Sequence, residues 1–544
     1  MRQDPDPETR DELAVIITRA ASGDAAALAE LEDRFGSRLA FGTAGLRGAL
    51  GAGSNRMNRV LVAQAAAGFA AYVRERSPGR VPTIVVGYDG RRNSRRFAID
   101  SAELFAGAGL RAVLLPRLLP TPVLAFAVRH LGADAGVMVT ASHNPPNDNG
   151  YKVYLGGADD GAQIVSPADA EIAAHIQRVA DASGIDSLAR SSEYTIADDE
   201  IVAAYVAATA AVSTAPASAR DLTWVYTAMH GVGWETFSRV LRAAGYPQPK
   251  TVTEQLTPDA SFRTVAFPNP EEPGAMDLAF AAARRTKADF IIANDPDADR
   301  LAVAIPDESA EGGWRRLSGN DIGLLLGARA ARLVEGTAGA ALACSLVSSP
   351  GLGAIARHHG LDFHETLTGF KWISRAPGIA FGYEEALGYL VNPDTVRDKD
   401  GISAAMAVLG LAGEARERGA TLATLLTELG DTYGHFASGQ VSIRVDDLSI
   451  ISNLMLSLRT LPPTRIGDSA VESAGDLLQA PAGQPSGDVL RYRLTGGARV
   501  IVRPSGTEPK LKVYLDAQGA SAADASAQID ALEAGVQELL TDHS

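Results

Sequence analysis

Gly136-Val-Met-Val-Thr-Ala-Ser142-His143-Asn144-Pro145-Pro-Asn-Asp-Asn149-Gly150-Tyr-Lys152 is the stretch that decides how this chain is read. Its first half is short, apolar and Val-rich and is bounded by turn residues, the pattern of a buried strand, here one ending at Ser142. Pro145 biases Asn144 away from helical backbone, and the Asn/Asp/Gly cluster that follows keeps the chain turning. The Ser142 hydroxyl is therefore expected to stand exposed at a strand's C-terminal end, where open α/β sheets place reactive groups. A lone serine is a weak nucleophile, and His143 and Lys152 are the neighbours able to move its proton. The same residues also fit a serine in an Asx-type turn beside a surface histidine. Ser-His alone does not choose between the two.

Working outward, 544 residues exceed what one hydrophobic core serves, so three to four domains are expected. With 46% hydrophobic and 21% charged residues, the composition is that of a globular protein and argues against disorder. A formal charge of -15 disfavours nucleic acid and anionic membranes as partners. An anionic substrate then requires a locally basic cleft. The single cysteine, Cys344, excludes an internal disulfide, and the start of the chain lacks the apolar core of a signal peptide. No apolar run reaches the ~18 residues of a membrane span. These features lead us to expect a soluble, cytoplasmic protein, monomeric or a small homo-oligomer.

Residues 8–35 read as one or two acidic, Ala-rich helices leading to Phe41-Gly-Thr-Ala-Gly45-Leu-Arg47-Gly48, a loop that small residues keep open around an arginine. Strand and helix patterns then alternate through Thr83–Gly87, 95–108, Ala112–Leu115 and 122–131 to the Ser142 strand, which implies a doubly wound sheet. Asp89 and Arg91, in the turn that closes the first of these strands, read as an ion pair bracing the loops. After a small-residue connector, Thr223–Met229 opens a second β-α-β unit, and a third begins near Gly319. The last segment is richer in strands and ends in a helix near 522–540. The fold class expected is α/β, with three consecutive doubly wound α/β domains and a smaller α+β C-terminal domain. Their expected boundaries are 1–210, 211–318, 319–435 and 436–544.

Two further loops carry chemistry. Asp295, Asp297 and Asp299 alternate on a turn between apolar strands, so they converge on one side of the backbone and repel unless a cation sits among them. An EF-hand is excluded because Arg300 and Pro306 stand where that loop needs Gly and Glu. Hard oxygen donors select Mg2+; a solvated acidic turn is the alternative. In Arg503-Pro-Ser505-Gly506-Thr507-Glu-Pro-Lys510, Gly506 permits a concave nest of N–H groups, Ser505 and Thr507 add hydroxyls, and Arg503 offers a forked donor. That is a phosphate cup, unless it is a plain hairpin turn. Glu384 and Glu385, after an apolar strand, suit vicinal sugar hydroxyls.

Taken in order, these strings resemble the α-D-phosphohexomutase superfamily, the phosphoglucomutases and phosphomannomutases, over roughly residues 40–515. Thr140–Pro145 with Asn149–Lys152 is similar to its phosphoserine loop, Gly45-Leu-Arg47-Gly48 to its arginine loop, Asp295–Arg300 to its metal loop and Arg503–Lys510 to its phosphate loop. The resemblance implies a heart-shaped, four-domain mutase in which phosphorylated Ser142 exchanges a phosphoryl group with a sugar phosphate. The metal set would be Ser142, Asp295, Asp297 and Asp299 around Mg2+. Arg47, His143 and Lys152 would serve the transfer, and a sugar bisphosphate would act as activator. Thr368, Gly369 and Lys371 match a loop that contacts sugar or phosphate, and Lys399 a basic position near the phosphate. Arg300 joins the substrate-binding set. Ala386 stands where the family has the serine of G-E-x-S. With Phe267-Pro-Asn-Pro-Glu-Glu-Pro-Gly274, that departure looks more like the branch acting on glucose, mannose or pentose phosphates. Glucose 1-phosphate to glucose 6-phosphate is the reaction expected first, mannose or pentose phosphate the alternative. A metal-dependent phosphatase and an inactive sugar-phosphate sensor are the readings from other classes.

Overall fold

A computed structural model of the protein describes residues 3–182, 184–445, 447–481, 486–505 and 510–542. The chain forms two compact units, Met1–Arg316 with Gly388–Arg418, and Leu317–Leu387 with Gly419–Ser544. No helix among the described residues is long and apolar enough to cross a membrane.

In the first unit the decisive apolar run forms the strand Ala135–Val139, buried at every position. It lies parallel to Thr83–Tyr88, which pairs in turn with Arg111–Leu114. On the other side Asp148–Leu155 runs antiparallel to it, and Leu46–Ala49 pairs antiparallel with that strand. The helices Arg59–Glu75, Ser94–Gly107 and Thr121–His130 alternate with these strands along the chain. Asn58 caps the first of them by accepting the Leu61 N–H at 2.9 Å. The two N-terminal helices, Pro7–Ala21 and Ala25–Phe35, are capped by Asp6 and Asp24. Arg34 ties them to the loop after the Arg47 strand through Glu12 at 2.8 Å, Glu30 at 2.9 Å and the Ala52 carbonyl at 3.0 Å.

A second sheet in this unit orders Trp314–Arg316, Leu301–Pro306, Phe290–Asn294, Trp224–Thr227 and Lys250–Thr251. Phe290–Asn294 is parallel to Trp224–Thr227 and antiparallel to Leu301–Pro306, and the turn from Phe290–Asn294 into Leu301–Pro306 delivers the aspartates at a sheet end. The buried helix Gly401–Glu417 packs on both central strands. Asp400 caps it, accepting N–H groups of Ile402 and Ser403 at 3.0 Å.

The second unit contains the parallel strands Asp362–Thr366, Ala341–Ser345 and Ile379–Glu384, with helices Gly319–Leu333 and Gly351–His358. It also holds an antiparallel sheet ordered His435–Arg444, Lys510–Gly519, Arg499–Pro504, Leu490–Leu494, Ser469–Asp476 and Arg465–Ile466. Helix Ala522–Asp542 packs on the first two of these strands.

Gly150 lies where three backbones meet. A Cβ there would fall 2.6 Å from the Thr140 carbonyl oxygen and 2.8 Å from that of Leu46. Gly150 also pairs with Arg47 across the strands. Gly150→Ala is expected to push the Arg47 strand outward and cost about 1–3 kcal/mol, as overpacking does. A lowered urea midpoint with an unchanged slope is the measurement that checks this.

Candidate active site

The apolar run stops being a strand at Val139, three residues earlier than its composition predicts. Ser142 sits beyond it with φ 52, a left-handed value uncommon for a serine. It is only 4% exposed, so the expectation of an exposed hydroxyl is corrected: the loop folds back and buries it. Its Oγ donates to Asp295 Oδ2 at 2.9 Å and lies 3.2 Å from His143 Nδ1. Burial first, then the cations Arg300 and Arg47, hold the His143 imidazole well below its usual pKa, so the ring is neutral at pH 7.

The loop is pinned by Arg91. Its guanidinium donates to the carbonyls of Ser142 and Asn144 at 2.6 Å, Pro145 at 2.8 Å and Asp148 at 3.2 Å. Asp89 Oδ2 lies 3.5 Å from Arg91 Nε, both side chains buried, and Ser94 Oγ donates to Asp89 Oδ1 at 2.6 Å. The bracing ion pair read from the sequence is present, and its object is the backbone of the serine loop. Arg47 reaches the same loop, donating to Asn144 Oδ1 at 2.5 Å.

Asp295, Asp297 and Asp299 are fully buried, and each offers an oxygen within 4.8 Å of the others. Ala298, at φ 56, makes the tight turn that brings them together. Lys152 Nζ donates to Asp297 Oδ2 and Asp299 Oδ2, each at 2.8 Å. Lys399 Nζ is 3.2 Å from Asp299 Oδ2, which puts this residue at the carboxylates. The Arg300 backbone N–H donates to Asp295 Oδ1 at 3.0 Å, and its Nε is 4.0 Å from Asp299 Oδ1. Burial, then the charges of Asp297 and Asp299, push the Asp295 carboxyl well up. Burial works the same way on Asp299, but Lys152, Lys399 and Arg300 outweigh it and hold its pKa low. Lys152 stays charged: burial opposes its charge, and the two aspartates more than offset that. Asp297 Oδ1 and Asp299 Oδ1 are buried and accept no hydrogen bond from the described residues. Oxygens left bare in this way, beside a third carboxylate, fit a hard divalent cation.

The remaining sequence-derived candidates lie in the second unit. Gly369 has φ 109, which favours glycine, and Lys371 follows it, half-buried, on the single turn Phe370–Ile373. Thr368 is half-buried beside them. Glu385 Oε2 accepts from Ser345 Oγ and Ser348 Oγ, both at 3.0 Å. Burial first, then the Glu385 charge, raise the pKa of the Tyr514 phenol, and Arg503 works against them. Ser505 and Lys510 flank the cup, and Gly506 and Thr507 lie outside the described residues.

Four consecutive stretches match the patterns described as "Phosphoglucomutase/phosphomannomutase, alpha/beta/alpha domain I" over residues 38–183, domain II over 203–309, domain III over 318–433 and "C-terminal domain" over 469–532. The chain belongs to the phosphoglucomutase/phosphomannomutase family. It is a phosphosugar mutase, an intramolecular phosphotransferase. A "Probable phosphomannomutase" of Haemophilus influenzae is 53% identical over 89% of this chain and 98% of its own length. The human phosphopentomutase is 36% identical over 90% of this chain and 86% of its own. Among solved structures, a phosphoglucomutase/phosphomannomutase family protein from Burkholderia thailandensis shares the fold with a TM-score of 0.71, at 20% identity, over 93% of this chain and 98% of that one.

Two neighbours of the first unit's candidate residues escaped the sequence reading: Thr121, whose hydroxyl donates to Asp297, and Phe262, whose ring lies 4.9 Å from the Arg91 guanidinium carbon. Only Thr121 left a signal, in Leu119-Pro-Thr121-Pro, a helix start whose threonine hydroxyl is free to bond outside its own helix. Arg91→Lys removes the fork that holds four carbonyls at once. Losing about 1.5–3 kcal/mol of charge-assisted bonding is expected to lower kcat/KM roughly 10- to 150-fold. Mutase kinetics alongside a thermal melt check it, since a loss of activity larger than the loss of stability is the expected signature.

Proposed function

We propose that Ser142 carries a phosphoryl group and exchanges it with a mannose or pentose phosphate through a bound sugar bisphosphate. The observation that carries the chemical half is the Ser142 hydroxyl, 2.9 Å from a buried carboxylate and 3.2 Å from a neutral imidazole. For the sugar, glucose stood first on sequence motifs; the 53% identity to a phosphomannomutase and 36% to a phosphopentomutase favour the alternative.

In this reading the sugar hydroxyl attacks the phosphorus as the P–Oγ bond breaks, its proton passing by way of the neutral His143 to the released Ser142 Oγ, and the bisphosphate then turns over while bound. Ser142 Oγ attacks its other phosphate, and the Oγ proton passes by way of His143 Nδ1 to the departing sugar oxygen. Lys152, charged and held by two aspartates, serves as an electrostatic clamp rather than a base. Arg47 stands by the same loop to offset charge on the phosphoryl oxygens. Asp295, Asp297 and Asp299 would hold Mg2+, which supplies further charge compensation at the transferring group. Segments 1–210, 211–318, 319–435 and 436–544 would supply the phosphoserine, the metal loop, the sugar contacts and the distal phosphate cup. Thr368, Gly369, Lys371, Glu384 and Glu385 would contact the sugar phosphate. Arg503 with Ser505 and Lys510 would hold the phosphate that is not being transferred.

Ser142→Ala is expected to abolish turnover on mannose 1-phosphate, ribose 1-phosphate and glucose 1-phosphate, each assayed with its bisphosphate. In the wild type kcat/KM should be highest on one of the first two. A clear preference for glucose 1-phosphate contradicts the sugar assignment, and turnover by the alanine variant contradicts the phosphoserine.

Arg503→Ala tests the distal cup. Loss of a bidentate contact worth about 1.5–3 kcal/mol should raise KM and increase dependence on added bisphosphate, with kcat at saturation less affected. Unchanged KM would mean that the distal phosphate is held elsewhere.

A further inference from the structure

Asp297 is held by a residue that neither charge nor nucleophilicity singles out. Thr121 opens the helix Thr121–His130, whose start has no side-chain cap. Its hydroxyl is directed instead to a residue 176 positions away, donating to Asp297 Oδ2 at 2.6 Å. Its backbone N–H donates to the Asp297 carbonyl at 2.9 Å. Both residues are fully buried, so neither bond competes with water.

A carboxylate turns about its own axis unless its two oxygens are made unequal. On Asp297 they are: Oδ2 receives Thr121 and Lys152, while Oδ1 is buried and accepts no hydrogen bond from the described residues. Lys152 cannot fix this orientation alone, because the same ammonium is shared with Asp299 Oδ2 at an equal 2.8 Å. The threonine hydroxyl has one proton to give and gives it to Asp297. We propose that Thr121 is a positioning residue of the metal site, locking Asp297 so that Oδ1 remains bare for a divalent cation. The proposal rests on the reading that the three aspartates bind such an ion.

Partners that orient a ligating group typically alter metal affinity 10- to 100-fold. The test is Mn2+ binding to the full-length protein, followed by the loss of the free-ion EPR signal, for wild type, T121V, T121S and D297N, with thermal melts of each. T121V keeps the side-chain shape and the backbone bond but loses the hydroxyl. Its Kd is expected to rise by roughly 10- to 100-fold, while T121S stays near wild type. Should T121V fail to fold, T121A carries the same comparison. Wild-type Mn2+ affinity in T121V, or a lowered melting point with unchanged Kd, overturns the proposal while leaving the metal site standing if D297N has lost binding. Equal Mn2+ affinity in wild type and D297N overturns the metal reading, and the proposal with it.

Discussion

Three carboxylates shut away from water within 4.8 Å of one another repel strongly, and the turn that carries them is tenable because Lys152 reaches into it. That lysine arrives on Asp148–Leu155, a strand whose register pairs Met138 with Lys152 on one side and Arg47 with Gly150 on the other. One strand thus sets the position of two of the site's cations. Side chains two apart share a face, so Tyr154 follows Lys152 and donates to Asp398 at 2.9 Å. Asp398 is the neighbour of Lys399, whose ammonium also reaches Asp299. Lys152, Lys399 and Arg300 together hold the Asp299 carboxyl ionised, while burial beside Asp297 and Asp299 pushes the Asp295 carboxyl up. A divalent cation among the three would favour the charged form of Asp295 as well.

In the second unit a buried arginine ties two sheets together. Arg499 is 8% exposed and donates to Asp516 at 2.7 Å, to Glu365 at 2.8 Å and to the Ser348 carbonyl at 2.6 Å. It therefore joins the antiparallel sheet to the parallel strands beside it. Ser348 in turn donates to Glu385. The bonds run from the strand that leads to Arg503 to the carboxylate suited to sugar hydroxyls. Breaking one partner of such a buried network leaves an unpaired charge, which costs more than the network contributes in net stability.

The strands leading to the serine and aspartate turns, and the charged residues on those turns, were legible in the sequence, because short apolar strands and alternating aspartates are local patterns. What was not legible is mostly a long-range contact. The four carbonyls bound by Arg91 lie more than fifty positions along the chain, and the hydroxyl on Asp297 comes from a helix whose own pattern is complete without it. The burial of Ser142 was misread for a related reason. A serine after an apolar run looks like a strand end, whereas the chain leaves the sheet at Val139 and returns over itself. The Arg91 bonds to that return segment reveal it, and the ion pair with Asp89 read from the sequence does not say which backbone the arginine holds.

Backbone strain is concentrated where this chemistry lies. Ser142, Met229, His230, Phe262 and Ala298 all have φ between 44 and 61. For residues other than glycine each such position costs on the order of 1–3 kcal/mol and persists only when its surroundings over-determine it. Here they do. The His230 N–H donates to the Gln255 carbonyl at 2.9 Å, and its ring nitrogen lies 2.8 Å from Thr264 Oγ1. Val232 N–H donates to the Pro296 carbonyl, so the strained turn is fastened to the metal loop itself. Gly231 between them admits no side chain, since a Cβ would fall 2.3 Å from Pro296 Cα. Phe262, held at φ 44, presents its ring to Arg91 and covers the guanidinium that pins the serine loop. The strain thus lies in the residues that fix where Ser142 and Asp297 can be, and relaxing it would free the two loops whose separation decides whether a phosphoryl group can be shared between them.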